Sequence, residues 1–307
     1  MEAIVIQTHN RFYRVRCGER TYLCSPKGAF RNAPDPEYRL PVIGDRVQIE
    51  LSPAEKEGVD GYISAIRVRR NALERADADG RRTRIMAANL DRVLVVGALS
   101  PGLDLPMIDR FLLASTLAEI PVVILANKAD LAPERKAHEA LEVYRGLGME
   151  VLATSAKSGA GLERLKAILG EGISYFTGAT GVGKSSLINR LVPMADLATA
   201  EVDPRGGRGR HTTTFSKLVP LGERGYLVDS PGMRDYQPPP LEPDQVRFGF
   251  QEFLDPQRHC RFSSCLHDRE PGCAVRKALE EGTIPRSRYK SYLFLLNEMR
   301  AALERRY

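Results

Sequence analysis

One segment, 178–185, constrains the fold and the chemistry of this chain more than any other. Its sequence, Gly178-Ala-Thr-Gly-Val-Gly-Lys-Ser, matches the phosphate-binding pattern G-x4-G-K-S/T at every fixed position. A strand-like run precedes it at 173–176, and a helix-like run follows it at 186–191. In that setting the glycines let backbone N–H groups close around a phosphate, and the start of the helix adds positive potential. The sequence therefore predicts a nucleotide-binding α/β domain; a glycine-rich turn without a ligand is the alternative interpretation.

The residue types of this phosphate-binding loop (the P-loop) indicate individual contacts. Lys184 is expected to reach the β- and γ-phosphates, and the Ser185 hydroxyl is expected to ligate Mg²⁺. The predicted nucleotide contacts of the P-loop and the residue after it are Gly178, Ala179, Thr180, Gly181, Val182, Gly183, Lys184, Ser185 and Ser186.

Two further motifs predict that the base is guanine. Asn127-Lys-Ala-Asp follows the strand-like run 122–126, and its Asp130 carboxylate can accept hydrogen bonds from guanine N1–H and N2–H₂. Adenine offers neither group in that arrangement and would leave a buried carboxylate unpaired. Thr154-Ser-Ala-Lys follows the next strand-like run, and a backbone N–H near Ala156 would donate to guanine O6. Each motif alone could be a chance turn, but together they predict base contacts from Asn127, Lys128, Ala129, Asp130, Ser155, Ala156 and Lys157.

A fourth motif, Asp229-Ser-Pro-Gly, matches D-x-x-G at the end of another strand-like run. Asp229 would hold Mg²⁺ through a water, and the Gly232 N–H would sense the γ-phosphate. The segment 206–214 lies between this motif and the P-loop and contains three consecutive threonines. We expect Thr213, with Thr212 as the next choice, to complete the magnesium site; a flexible basic loop is the alternative.

The residue that should orient the attacking water is missing. Met233 follows the D-x-x-G motif, where many GTPases have a glutamine, and a thioether cannot orient water. We therefore expect slow intrinsic hydrolysis. His211, directly before the threonines, is a candidate catalytic group because an imidazole can accept from or donate to water. The alternatives for His211 are an exposed loop residue and an RNA contact.

The order of these motifs is unusual. Ordinary GTPases have the P-loop first and the base-recognition motifs last, whereas here Asn127 and Ser155 precede the P-loop. A sheet can be conserved while the chain ends move, because termini lie at the surface. The sequence thus predicts a circularly permuted GTPase domain over 91–236. In such a chain the segment after Gly232 leads directly into the C-terminal region, so nucleotide state can bias that region.

The flanking regions predict two further domains. Residues 1–70 contain five strand-like runs separated by turns, which favours a small Greek-key barrel of the oligonucleotide-binding (OB) type, although other small barrels fit almost as well. Residues 71–90 are polar and rich in arginine and predict a linker or a hairpin. Residues 237–307 should form a mainly helical domain that ends in a helix over 286–305, with Tyr292, Leu295, Leu296 and Met299 on one face.

The C-terminal region also contains a metal-binding pattern, C-x4-C-x-H-x5-C. Three thiolates and one imidazole satisfy tetrahedral Zn²⁺ and leave no position for water, which is typical of a structural site. Three buried thiols without a metal are the alternative. His259 competes with His267 as the nitrogen ligand, whereas the distant Cys17 and Cys24 are expected to be packing residues. The predicted zinc ligands are Cys260, Cys265, His267 and Cys273.

Charge and hydropathy restrict the partners and the compartment. Lys and Arg number 45 against 39 Asp and Glu, a net charge of +6 that favours an anionic partner. Most of these basic residues are arginine, and a GC-rich coding bias would also explain that preference. The sequence has no run of about 18 apolar residues and no secretory signal pattern at its start. We therefore expect a cytoplasmic protein without membrane contact.

These motifs together resemble the bacterial small-ribosomal-subunit-dependent, circularly permuted GTPases of ribosome biogenesis. The resemblance covers the barrel, the permuted GTPase domain and the Cys-Cys-His-Cys pattern. It implies that the chain binds the 30S subunit and its rRNA, hydrolyses GTP during late maturation of that subunit, and is stimulated by it. It also implies one structural zinc, Mg²⁺ with the nucleotide, GTP and GDP as ligands, and a monomer.

Two other interpretations remain open at this point. An RNA-binding protein could use GTP only as a conformational ligand with negligible turnover, an idea that Met233 supports. A GTPase that acts on another RNA or on a membrane is weaker, because the chain lacks a basic amphipathic helix with aromatic anchors.

Overall fold

The computed structural model describes residues 1–9, 11–28, 40–52, 58–77, 82–100, 102–131, 141–192, 217–222, 224–229 and 236–305. The predicted residues His211, Thr212, Thr213, Gly232 and Met233 lie outside these ranges, as does the side chain of Asp229.

A five-stranded barrel forms the N-terminal part of the molecule, as the strand-like runs predict. Its strands are β1 (Glu2–His9), β2 (Phe12–Cys17), β3 (Arg20–Pro26), β4 (Arg46–Leu51) and β5 (Gly61–Ile66). The pairing order β1-β2-β3-β5-β4 closes when β4 pairs with β1. Alternate side chains such as Val5, Val15, Val47 and Ile63 fill the interior. Cys24 lies in that interior, which fits its expected packing role.

A hairpin follows the barrel. Of the two interpretations of residues 71–90, a linker or a hairpin, the structure has the hairpin. Strands β6 (Ala72–Ala76) and β7 (Thr83–Ala88) pair antiparallel as a separate two-stranded sheet. The barrel holds this hairpin through backbone contacts, because the Ala88 N–H donates to the Ile43 carbonyl at 2.9 Å. Gly44 makes the approach possible, since a Cβ there would lie 2.2 Å from the Ala88 oxygen.

The central domain is a mainly parallel sheet with apolar layers on both faces, as expected. Strands β8 (Arg92–Ala98), β9 (Val122–Asn127), β10 (Glu150–Ala153), β11 (Glu171–Thr177) and β13 (Arg224–Asp229) lie in the order β10-β9-β8-β11-β13. Side chains along β8 alternate between two cores, Val93 and Val95 in one and Leu94 and Val96 in the other. The helices of this domain are α1 (Leu105–Leu117), helical residues 141–146, α2 (Leu162–Leu169) and α3 (Lys184–Leu191).

The barrel and the central sheet are continuous, which the sequence did not predict. Strand β12 (Lys217–Leu221) pairs antiparallel with β13 and, through Lys217 and Gln7, with β1. The eleven strands therefore form one sheet from β10 to β4. Ile4 and Ile6 of β1 pack against the central core. The strand that follows segment 193–216 is thereby attached to the barrel.

The C-terminal region consists of short 3₁₀ turns followed by helices α4 (Ala274–Glu280) and α5 (Arg286–Glu304). The predicted apolar face of α5 is buried: Tyr292, Leu295, Leu296 and Met299 pack with Phe250 and Phe253. Leu113 of α1 belongs to the same core. The C-terminal region is thus built onto α1 of the central domain.

Candidate nucleotide and metal sites

The described parts of the four nucleotide motifs meet at one edge of the central sheet. The P-loop follows β11, Asn127 ends β9, Ser155 comes two residues after β10, and Asp229 ends β13. These strands are parallel and in close register, for example with Phe176 opposite Asp229 and Ala153 opposite Ala126. Their carboxyl ends therefore lie together at this edge, and the crevice outside such an edge is the usual position of a ligand in an open α/β sheet.

Close backbone packing explains the glycines of the P-loop. Gly178, Gly181 and Gly183 have φ angles of +140°, +85° and +94°. A Cβ at Gly178 would lie 2.1 Å from the Val96 carbonyl oxygen, and one at Gly183 would lie 2.4 Å from Asn127 Nδ2. Helix α3 begins at Lys184, so the N–H groups of its first turn, which includes Ser185 and Ser186, lie at the loop.

Lys184 is folded over the P-loop. Its Nζ donates to the carbonyl oxygens of Gly178 at 2.7 Å and Ala179 at 3.1 Å, and the side chain is buried. Thr180 and Gly181 at the tip of the loop are exposed. The loop therefore has a buried cation behind a tip that is open to solvent, an arrangement that suits the phosphates of a nucleotide.

Asn127 connects three motifs through one buried side chain. Its Nδ2 donates to the Val182 carbonyl oxygen in the P-loop at 2.8 Å, and its Oδ1 accepts from Thr154 Oγ1 at 3.3 Å. Asn127 therefore holds the end of β9, where the predicted base contacts begin, against the P-loop, where the predicted phosphate contacts lie. The sequence motifs did not include Thr154 as a functional residue, although it directly precedes the Ser-Ala-Lys motif.

The Asp130 carboxylate is held by the neighbouring motif. Ser155 Oγ donates to Asp130 Oδ1 at 2.6 Å, and the Ser158 N–H donates to Ser155 Oγ at 3.0 Å. The Ser155 hydrogen bond lowers the pKa of Asp130, with a smaller contribution from Lys157 and Lys128. The exposed carboxylate is therefore ionised at neutral pH and can accept two hydrogen bonds from guanine.

Lys128 shapes the turn that presents Asp130. Its φ is +60°, an uncommon conformation for a residue with a side chain. The Ala129 N–H donates to the Thr154 carbonyl at 3.0 Å and holds the turn against the loop that contains Ala156. All of the predicted base-contacting residues thus lie in two adjacent, mutually bonded turns.

The four predicted metal ligands form one cluster in the C-terminal region. The sulfur atoms of Cys260, Cys265 and Cys273 and one ring nitrogen of His267 all lie within 4.8 Å of one another. The His267 Nδ1 atom lies 3.6 Å from the Cys260 sulfur and 3.4 Å from the Cys273 sulfur. His259, the competing ligand, is exposed and outside the cluster.

The donor chemistry of these side chains fits a cation. Burial raises the pKa of Cys265 to about 12 and also raises the pKa of Cys273. Burial lowers the pKa of His267 to about 4, so its imidazole is neutral at physiological pH. Thiolates are strongly disfavoured there unless a positive ion compensates them, and three sulfurs with one neutral imidazole can hold a metal ion.

Neighbouring residues that the sequence motif did not single out support the metal loop. The Glu270 carboxylate accepts from the N–H groups of Leu266 at 2.9 Å and Asp268 at 3.0 Å. Tyr289 and Tyr292 of α5 donate to the carbonyls of His267 and Leu266 at 2.6 and 2.5 Å. His267 itself has a φ of +57°. These contacts hold an irregular loop in a ligating shape, much as outer-shell groups orient ligands elsewhere.

Among the described residues, no helix combines the length and the hydropathy that a membrane span requires.

Two curated proteins that are similar to this chain in sequence have the same name. The curated small ribosomal subunit biogenesis GTPase RsgA of Actinobacillus pleuropneumoniae serotype 5b is 38% identical over 296 residues, which cover 95% of this chain and 83% of the relative. The protein of the same name from Mannheimia succiniciproducens is 43% identical over 260 residues, covering 83% of this chain and 73% of the relative.

Solved structures agree with this result. The crystal structure of YjeQ from Thermotoga maritima has a TM-score of 0.73 and 33% identity, and the match covers 97% of this chain and 98% of that one. The structure of YloQ, described as a circularly permuted GTPase, has a TM-score of 0.72 and 25% identity, covering 98% and 95% of the two chains. A sequence model of the RsgA GTPase family matches residues 66–238. With its permuted motifs assembled in one crevice, this chain belongs to the RsgA GTPase family.

Proposed function

We propose that this GTPase binds the 30S ribosomal subunit and hydrolyses GTP during late maturation of that subunit. The bound subunit stimulates the hydrolysis. The observation that carries the proposal is the set of bonded guanine-type motifs: Asn127 bonds to the P-loop, and Ser155 bonds to Asp130. The chain that contains them aligns over 95% of its length with a relative named for small-subunit biogenesis. The division into a barrel (1–70), a connecting segment (71–90), a GTPase domain (91–236) and a metal domain (237–307) belongs to this proposal. The proposal also includes a monomeric state and a cytoplasmic location.

In the proposed site the base lies against Asp130 and the backbone near Ala156, and the phosphates lie in the P-loop. Lys184 withdraws from the carbonyls of its own loop to contact the β- and γ-phosphates. The burial of Lys184 in the P-loop supports its role, and the hydrogen bond from Asn127 to the Val182 carbonyl oxygen supports the pairing of the two motifs in one site.

Mg²⁺ with GTP is proposed to be held by Ser185, Thr213 and Asp229, with the Gly232 N–H on the γ-phosphate. Ser185 in the first turn of α3 and the position of Asp229 at the end of β13 support this set. When bound, the ion neutralises charge on the transferred phosphoryl group. His211 is proposed to orient the attacking water.

The metal in the C-terminal cluster is proposed to be one structural Zn²⁺. The donor set of Cys260, Cys265, His267 and Cys273 supports zinc, because soft thiolates with one imidazole suit that ion and leave no open position.

The experiment that tests the proposed function is a measurement of steady-state GTP hydrolysis by the full chain alone, with purified 30S subunits, and with 50S subunits as the matched control. We expect slow turnover alone, a large increase with 30S subunits, and no increase with 50S subunits. Equal stimulation by both particles would contradict a small-subunit role.

The same experiment distinguishes the alternative function. An RNA-binding protein that uses GTP only as a conformational ligand would bind 30S subunits in a nucleotide-dependent manner and show no turnover in any mixture. Binding of 30S subunits is therefore measured in parallel by sedimentation, with GTP, GDP and a non-hydrolysable GTP analogue.

A further inference from the structure

Strand β10 leads into the loop that contains Ser155, and it has hydrogen-bonded support on one side. Among the described strands it lies at the edge of the sheet and pairs with β9. The chain enters β10 from helical residues 141–146 and a turn in which Gly148 has a φ of +76°. An edge strand lacks a second neighbour, so its position also depends on what holds the segment before it.

The C-terminal region holds that segment directly. Gln251 Nε2 donates to the Leu147 carbonyl oxygen at 2.5 Å, although the two residues are 104 positions apart in the chain. The acceptor is a carbonyl oxygen, so the amide must present its NH₂ group to it. The Gln251 side chain is exposed, which makes this contact separable from the packing of the core.

A second contact lies at Tyr144, which is buried three residues before Leu147. Its hydroxyl donates to Asp109 Oδ1 of α1 at 3.1 Å. The Arg288 guanidinium of α5 also bonds to Asp109, and its carbon lies 5.8 Å from the centroid of the Tyr144 ring. Segment 141–149 is therefore held by α1 and α5 as well as by Gln251.

One short turn of the C-terminal region joins these two contacts. Residues Gln251–Phe253 form a 3₁₀ turn, which we call the bracing turn. Glu252 accepts from Arg288 Nε at 2.7 Å, and Phe253 is buried in the C-terminal core. The bracing turn is thus part of the C-terminal region, and a displacement of that region would also displace segment 141–149.

The path from this segment to the base-recognition motifs is short. Ser155 comes two residues after β10 and donates to the Asp130 carboxylate at 2.6 Å. If segment 141–149 is released, β10 and Ser155 gain freedom, and Asp130 loses part of its support. Contacts to a bound base then break more often, and weakened contacts act mainly on dissociation rates.

We propose that the bracing turn restrains the release of guanine nucleotides, with Gln251 and Tyr144 as positioning residues for the base-recognition loops. This inference rests on the proposed function, because it requires guanine at Asp130. It deepens that function by giving the C-terminal region a route to the nucleotide: a partner that displaces the bracing turn accelerates nucleotide exchange.

The test measures the dissociation rate of a fluorescent GDP from the full chain, by stopped-flow mixing with excess unlabelled GDP. Gln251→Glu keeps the size of the side chain and removes the donor. It should increase the rate at least about twofold, the lower end of such couplings. Tyr144→Phe, which removes only the hydroxyl, should act in the same direction. A fluorescent non-hydrolysable GTP analogue should respond by the same factor as GDP, because both contain the base on which the restraint acts.

Gln245→Glu is the matched control, because it makes the same change at an exposed glutamine of the C-terminal region. Its Oε1 accepts from the Glu242 N–H, and the substitution keeps that oxygen. Glu298→Gln is the control for the junction of α1 and α5, since it weakens the pair of Glu298 with Arg110. Both controls should release GDP at the wild-type rate, and thermal melting establishes that each variant is folded.

Two results would overturn the inference. Unchanged dissociation rates in the folded Gln251→Glu and Tyr144→Phe variants would exclude a restraint by the bracing turn and leave these residues a role in stability. An equal increase in Gln245→Glu or Glu298→Gln would indicate general loosening of the C-terminal region. Failure of the proposed function is a separate outcome, because it would appear as GTP turnover that 30S subunits do not stimulate while GDP release still responds to Gln251→Glu.

Discussion

At the scale of single residues, the proposed recognition of guanine depends on Asp130. We predict that Asp130→Asn weakens GTP binding and favours xanthosine triphosphate, because xanthine has an oxygen where guanine has its amino group. An asparagine oxygen can still accept from Ser155, so the turn itself should persist. Competition of GTP, xanthosine triphosphate and ATP against a fluorescent guanine nucleotide measures the change.

The control for this substitution is Asp244→Asn, which changes an exposed aspartate in the C-terminal region. It should leave the preference for guanine unchanged. If ATP competes with GTP equally in the wild-type chain, the assignment of the base is wrong.

A second prediction at this scale concerns the missing glutamine. His211→Ala should abolish 30S-stimulated turnover while GTP affinity and 30S binding stay nearly normal, because the imidazole is expected to act on the attacking water alone. Single-turnover hydrolysis with and without 30S subunits measures it, and His138→Ala, at a histidine outside all of the motifs, is the control. Unchanged turnover would exclude His211 from the mechanism and indicate a ribosomal group, whereas lost 30S binding would identify a contact residue.

At the scale of elements, α1 connects the GTPase domain with the C-terminal region through a buried ionic cluster. Arg288 of α5, only 1% exposed, bonds to Asp109 of α1 and, at 2.7 Å, to Glu252. Tyr144 also donates to Asp109 at 3.1 Å. Burial raises the pKa of Asp109, and the Arg288 guanidinium opposes that rise. The charge of Asp109 thus depends on Arg288.

We therefore predict that Arg288→Met lowers the free energy of unfolding by about 3–5 kcal/mol, because it leaves two carboxyl groups buried without their cation. Arg300→Met is the matched control on the same helix, since Arg300 pairs with Asp268 at a partly exposed position and such pairs are worth about 0–1 kcal/mol. Urea unfolding followed by circular dichroism compares the two. Equal effects of the two substitutions on the free energy of unfolding would mean that the buried ionic cluster contributes little to the contact between α1 and α5.

At the scale of the whole molecule, we expect a metal in the C-terminal cluster to decide whether the C-terminal region stays folded. Structural zinc sites in small peptides contribute about 10–16 kcal/mol of apparent binding free energy, which is also folding free energy. We predict one tightly bound zinc per chain. Chelation should unfold the C-terminal domain, while nucleotide binding in the central domain persists because its motifs rest on strands β9, β10 and β11 of the central sheet.

Metal analysis, circular dichroism and binding of a fluorescent guanine nucleotide, with Mg²⁺ restored after chelation, test this prediction together. The structure adds one consequence: Leu113 of α1 belongs to the C-terminal core, so chelation should also expose that side of α1 and lower the melting temperature of the central domain. A metal-free preparation with a folded C-terminal domain would refute the structural role of the metal.

Much of the molecule could be predicted from the sequence because the decisive signals are local. The spacing of Gly178, Gly183, Lys184 and Ser185 defines a P-loop wherever a strand precedes and a helix follows. The spacing of Cys260, Cys265, His267 and Cys273 likewise brings four ligands together within one short loop. The five barrel strands, the alternation along β8 and the buried face of α5 depend on residue periodicity, which acts over a few residues.

The contacts between distant segments were decided only by the tertiary structure. Lys217 beside Gln7, Val182 beside Asn127, and Leu113 inside the C-terminal core each join residues far apart in the chain. No local pattern specifies such pairs, because they depend on how complete surfaces fit once each element has formed. The sequence alone therefore identified the nucleotide motifs and predicted the four residues that cluster in the C-terminal region. Packing determined how the barrel, the GTPase domain and the metal domain are joined.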